Sequence, residues 1–247
     1  MSDTAASTDP IFYAVTEATW PAHRQLTCGP ITLREGRGGG SRVSAATLDQ
    51  PTATATELAT AEAAMVQMGQ DRLFMIRDGQ DALDAQLAER GYVVKDPVQI
   101  WDCPVALLCD LDIPPVTAFA IEEPLAIQRE IWAQGGIGPE RLAVMERVTG
   151  PKITLLGRWD DSPAGTGFVA IHAGVAMVHA LEILPHQRRR GMGAWLMRRA
   201  ALWAQEQGAD RLAVLCTKAN PGANGLYASL GMTPAGGYHY RYNPDGV

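Results

Sequence analysis

The chain has 247 residues, 47% of them hydrophobic and 19% charged, a balance that buries a sizeable core in one large or two small domains. Its net charge of −6 argues against a general nucleic-acid binder, because neutralising phosphates needs a basic surface. No run of about 18 apolar residues could span a membrane, and four scattered cysteines without CxxC or zinc spacing give no metal site.

The opening MSDTAASTDP has neither a basic nor an apolar leader segment and is expected to be disordered, which fits a cytoplasmic protein. Ile31–Arg34 reads as a strand, the Gly36–Gly40 loop as a hairpin connection, and Arg42–Ala45 as the next strand. Thr56–Met68 predicts a helix stopped at Gly69. A strand at Leu73–Arg77 follows, then a helix from Asp81 to about Arg90 with Leu83 and Leu87 on one face. Tyr92–Val94 and Val98–Trp101 read as two further strands.

The run DLDIPP at 110–115 is stiff and extended, and predicts a boundary between domains 1–112 and 113–247. Beyond it, Leu125–Ala133 and Pro139–Val148 predict helices. Lys152–Trp159 and Thr166–His172 predict a hairpin, and Val175–Leu184 a longer strand. A helix over 191–207, a strand at Arg211–Cys216, a helix near Ala223–Leu230 and a strand at Tyr238–Tyr242 complete the pattern. Helices mixed with hairpins and crossovers imply an α/β (α+β) fold.

Five of the arginines fall between Arg188 and Arg199, around the sequence RRRGMGA at 188–194. A strand, this turn and then a helix make an anion site, because a helix N-terminus offers unpaired N–H groups and partial positive charge. Gly191 and Gly193 remove side chains that would hold a diphosphate off those amides. Downstream lies Asn220-x-x-Ala223-x-x-Leu226-Tyr227-x-x-Leu230-Gly231-Met232.

Arg188-x-x-Gly191-x-Gly193 resembles the R/Q-x-x-G-x-G/A turn of GNAT acetyltransferases, and the Asn220–Met232 segment resembles their second signature. The resemblance implies a mixed, mainly antiparallel sheet flanked by helices, with a V-shaped slot for acetyl-CoA beside the strand that precedes the turn. It implies that backbone groups of Ile183 and Leu184 hold the pantetheine arm. The amides of Arg188, Arg189, Arg190, Gly191, Met192, Gly193 and Ala194 would hold the pyrophosphate, and Asn220 would touch the cofactor arm.

Tyr227 matches the tyrosine that protonates the departing sulfur. His179 sits in HALEILPHQR, which resembles a branch of the family whose histidine acts as base through ordered water, and a ring with a pKa of about 6.5 suits that task. Glu182 is the other candidate, on the opposite face by alternation unless the strand bulges. The expected reaction moves acetyl from acetyl-CoA to the primary amine of a small molecule or peptide. A non-catalytic acyl-CoA-binding regulatory module is the alternative.

The N-terminal half resembles, more faintly, the leading domain of tandem-GNAT bacterial proteins, so two GNAT-like domains are expected, the first lacking a phosphate turn. That half is expected to wall the acceptor pocket or to form a dimer surface, in a monomer or homodimer.

Overall fold

The computed structural model describes residues 8–244. The expected disorder of residues 1–7 lies outside them, but Thr8 is buried and its hydroxyl donates to Asp78. In chain order come α1 (Ile11–Thr19), β1 (Arg24–Cys28), β2 (Ile31–Glu35), α2 (Ser41–Ser44), β3 (Thr47–Leu48), α3 (Ala55–Gln67), β4 (Leu73–Arg77), α4 (Asp81–Glu89) and β5 (Val93–Pro104). Then follow β6 (Ala118–Ile121), α5 (Ala126–Gln134), α6 (Pro139–Arg147), β7 (Lys152–Trp159), β8 (Ser162–His172), β9 (Val175–Ile183), α7 (Met192–Glu206), β10 (Arg211–Thr217), α8 (Pro221–Ser229) and β11 (Thr233–Tyr242).

Local chemistry sets most of these boundaries. Thr54 and Glu57 form a reciprocal capping box at the start of α3. Asp160 and Asp161, with φ of 51° and 55°, make the tight left-handed turn that joins β7 to β8. Arg42–Ala45, expected as a strand, is instead mostly α2, and the glycine loop before it connects a strand to a helix. Gly40, with φ of 95°, turns the chain so that Val43 is wholly buried; over so short a run, packing decides and alternation does not.

The two strands expected at 92–101 are one, β5, kinked at Asp96 where φ is 45°. The helix α1 escapes a reading by composition, although Phe12, Val15, Thr16 and Thr19 are its buried face at helical spacing.

The strands form a three-stranded sheet, β1-β2-β3, and an eight-stranded one ordered β4-β11-β5-β10-β9-β8-β7-β6. Only β9 and β10 run parallel; the other neighbours in the large sheet are antiparallel. α7 covers one face of the C-terminal strands, and α1 and α5 cover the other. The N-terminal half has its own apolar cluster, with Leu33, Leu58, Phe74, Leu83 and Leu87 inside it.

Instead of one separate sheet per half, the large sheet continues across the division expected at 112/113. β5, from the N-terminal half, lies between β10 and β11, while β11, from the C-terminal half, lies between β4 and β5. Each half thus completes its sheet with the other's strand. The whole chain is expected to unfold in one cooperative transition, and the fragment 113–247, which lacks β5, to show no native-like circular dichroism. A well-folded fragment would show that the exchange is dispensable.

Candidate acyl-donor site

β9 and β10 pair from Arg211–Val175 to Val214–Val178 and then part, although β9 runs on to Ile183 and β10 to Thr217. The parting coincides with a bulge at Ala180, whose φ is 49°, where the register against β8 shifts between the Phe168–His179 and Thr166–Glu182 pairs. Trp132, fully buried, donates its indole N–H to the Ala180 carbonyl at 2.8 Å and so pins the bulge. The extra residue brings His179 and Glu182 to the same face.

The gap opens into a cleft of about 600 Å³, lined from β9 by Leu181, Glu182 and Ile183, from the turn by Arg188, Arg189 and Gly191, and from α8 by Asn220 and Tyr227. Arg189 and Gly191, with φ of 65° and 82°, alternate with their neighbours so that successive amides converge at the start of α7. Met192, Gly193 and Ala194 also line the cleft; Arg190 and Leu184 do not. Leu184 donates its N–H to Ala164 and accepts from Gln187, so the expected Leu184 contact is replaced by Leu181, which reaches the cleft beside Ile183.

Gly193 meets α8 as well as lining the cleft. A Cβ there would lie 2.8 Å from Leu226 Cδ2, so an added methyl displaces the end of that side chain. Gln187 lines the cleft with its side-chain oxygen buried and without a hydrogen-bond partner among the described residues, which suits an N–H donor on a bound molecule. Arg188 turns back, with Nε donating to the Ile183 carbonyl at 3.0 Å and Nη2 to Glu182 at 3.1 Å. Asn220 caps α8 by accepting from the Ala223 N–H at 3.0 Å, which leaves its amide N–H groups facing the cleft.

Tyr227 is buried and lies 6.4 Å from the ring of Trp101, whose indole N–H donates to Asn224. Burial pushes its phenol well above the ordinary value of 10, so it stays protonated. Trp101 belongs to β5, so the N-terminal half buttresses this tyrosine.

His179 is placed differently from the other site residues. It lies outside the cleft, stacked 5.0 Å from Trp20. Its Nδ1 accepts from Arg42 Nη1 at 3.1 Å. Its Nε2 donates to the Thr19 hydroxyl at 2.8 Å, since that hydroxyl gives its own proton to Val15. Burial, and then the Arg42 charge, hold the imidazole well below 6.5. A neutral ring whose one lone pair faces a guanidinium is a poor base. Thr19, Trp20 and Arg42 lie far from the turn in sequence, and no spacing rule connects them to it.

Residues 121–232 match the Acetyltransferase (GNAT) family. The chain thus resembles the GNAT acetyltransferases over the segment that holds both signatures. It is 26% identical to the uncharacterized N-acetyltransferase YobR of Bacillus subtilis (strain 168), over 91% of this chain and 94% of that one. Among solved structures, the GCN5-related N-acetyltransferase from Kribbella flavida is similar with a TM-score of 0.68 and 20% identity, covering 98% of both chains. A tandem GNAT protein from the clavulanic acid biosynthesis pathway is similar over 80% of this chain and 74% of its own, with a TM-score of 0.60 and 14% identity. The cleft lies between the two signatures.

Two outcomes test the geometry. Gly193→Ala is expected to change stability in urea unfolding by less than about 1 kcal/mol, because the end of Leu226 gives way and alanine favours the helix. His179 has a depressed pKa in the folded state, so below about 6.5 the unfolded chain takes up a proton that the folded one refuses, and stability is lost on acidification. His179→Gln is expected to flatten the fall in urea midpoint between about pH 7 and pH 5 relative to the unmodified protein.

Proposed function

We propose that the protein transfers acetyl from acetyl-CoA to a primary amine by direct attack. The observation that carries this reading is the parting of β9 and β10 beside a turn of convergent amides, with Tyr227 in the same cleft. Bound there, acetyl-CoA supplies the activated thioester.

The residues divide the work. Leu181 and Ile183 offer backbone groups along the open strand edge, and the amides from Arg189 to Ala194 offer an anion cradle. Tyr227 acts as the acid toward the departing sulfur, its buried hydroxyl remaining a donor across the working pH range. Glu182 takes the base role in place of His179, because it faces the cleft and its carboxylate is only partly covered by Arg188. Gly135 allows this placement, since a Cβ there would lie 2.6 Å from the Glu182 carboxylate.

Release of free thiol from acetyl-CoA across a panel of primary amines tests the activity. Tyr227→Phe is expected to lower kcat by about 10²–10⁴-fold while leaving acetyl-CoA affinity unchanged. Glu182→Gln is expected to lower kcat by about 10²-fold or more with acetyl-CoA affinity retained. Tight acetyl-CoA binding without turnover on any amine would identify an acyl-CoA-binding module instead.

A further inference from the structure

A second cavity of about 240 Å³ meets the parting strands from the other side, bordered there by Ala180 and Thr217. Trp20 and Ile137 give it an apolar wall, and Tyr238 and Tyr240 from β11 form its floor. Two cations face into it, Arg42 from α2 and Arg141 from α6. Neither has a carboxylate partner within 4 Å among the described residues, whereas Arg34, Arg77, Arg188, Arg211 and Arg241 each do.

Arg42 is fixed in place by its bond to His179 Nδ1 and by Trp20, whose ring lies 5.8 Å below its guanidinium. Its side chain also lies against the Tyr238 and Tyr240 hydroxyls, although its Nε and the Tyr238 oxygen lack a well-formed hydrogen bond among the described residues. Arg141 lies over Gly40, where its guanidinium would be 3.4 Å from an added Cβ. The cavity's one carboxylate, Asp96, is exposed at the rim and pairs with neither arginine.

We infer that the acetyl acceptor is a small molecule that carries an anionic group, carboxylate or phosphate, a few bonds from its amine. Arg42 and Arg141 hold the anion while the amine is directed at the gap between Ala180 and Thr217. The inference rests on the acetyltransferase reading for the direction of the amine. Guanidinium forks match carboxylate and phosphate oxygens two at a time, and cations without a carboxylate partner are stabilised by such a ligand. The same geometry gives His179 a purpose as a positioning residue that orients Arg42.

The test uses the full chain with CoA present and three aminoethyl probes, namely ethanolamine, β-alanine and O-phosphoethanolamine, followed by saturation-transfer NMR and by thiol release from acetyl-CoA. At least one anionic probe is expected to bind about tenfold or more tightly than ethanolamine, and whichever is preferred distinguishes carboxylate from phosphate. Arg141→Gln, an exposed position, is expected to erase that preference through KM with kcat retained, and Arg141→Lys to restore part of it. Equal binding of the three probes, or a preference that survives Arg141→Gln, overturns the inference. Turnover without anion preference would sink the inference alone, whereas anion-dependent binding without thiol release would sink the acetyltransferase reading alone.

Discussion

The left-handed backbone of Ala180, held by the Trp132 indole on its carbonyl, is the constraint from which the rest of the site follows. A regular β9 would continue to pair with β10, and the sheet would have no opening. One extra residue ends the pairing, leaves an open edge at Leu181 and Ile183, and changes the face to which every later side chain points. The strained residue is maintained because a buried tryptophan and a three-stranded neighbourhood over-determine it. The donor cleft and the second cavity are the two sides of that single irregularity.

Around it, the two halves of the chain depend on each other. β5 supplies Trp101 behind Tyr227 and pairs with β10 inside the sheet, while α1 and α2 supply Thr19, Trp20 and Arg42 around His179. The phosphate turn sits wholly in the C-terminal half, yet the chemistry beside it is shaped by residues more than a hundred positions earlier. The N-terminal half therefore acts as a structural partner of the catalytic one, with its own apolar cluster but no anion turn of its own.

What the sequence made legible follows the range of the forces involved. β7, β9, α7 and β10 were readable almost to the residue, because alternation and a helix-opening glycine act locally. β8 instead starts at Ser162, four residues before the expected Thr166, because the turn takes only Asp160 and Asp161. The turn and the Asn220–Met232 segment were readable because their spacing is a backbone requirement. Glu182 could be placed only conditionally, since alternation puts it on one face and a bulge on the other. The role of His179 was not legible: its neutrality is set by burial and by the Arg42 charge, which act on it only through tertiary packing. The exchange of β5 and β11 was equally hidden, because both strands have ordinary patterns and only their non-local partners differ.

That exchange has a consequence for how the molecule comes into being. β4 and β5 are synthesised long before β11, which belongs between them, so both present unsatisfied backbone edges while the C-terminal half is still on the ribosome. The closing step joins segments from opposite ends of the chain, and its entropy cost comes before any of its contacts are gained. The large sheet is thus complete only once β11 has been inserted between two strands that precede it by more than a hundred residues.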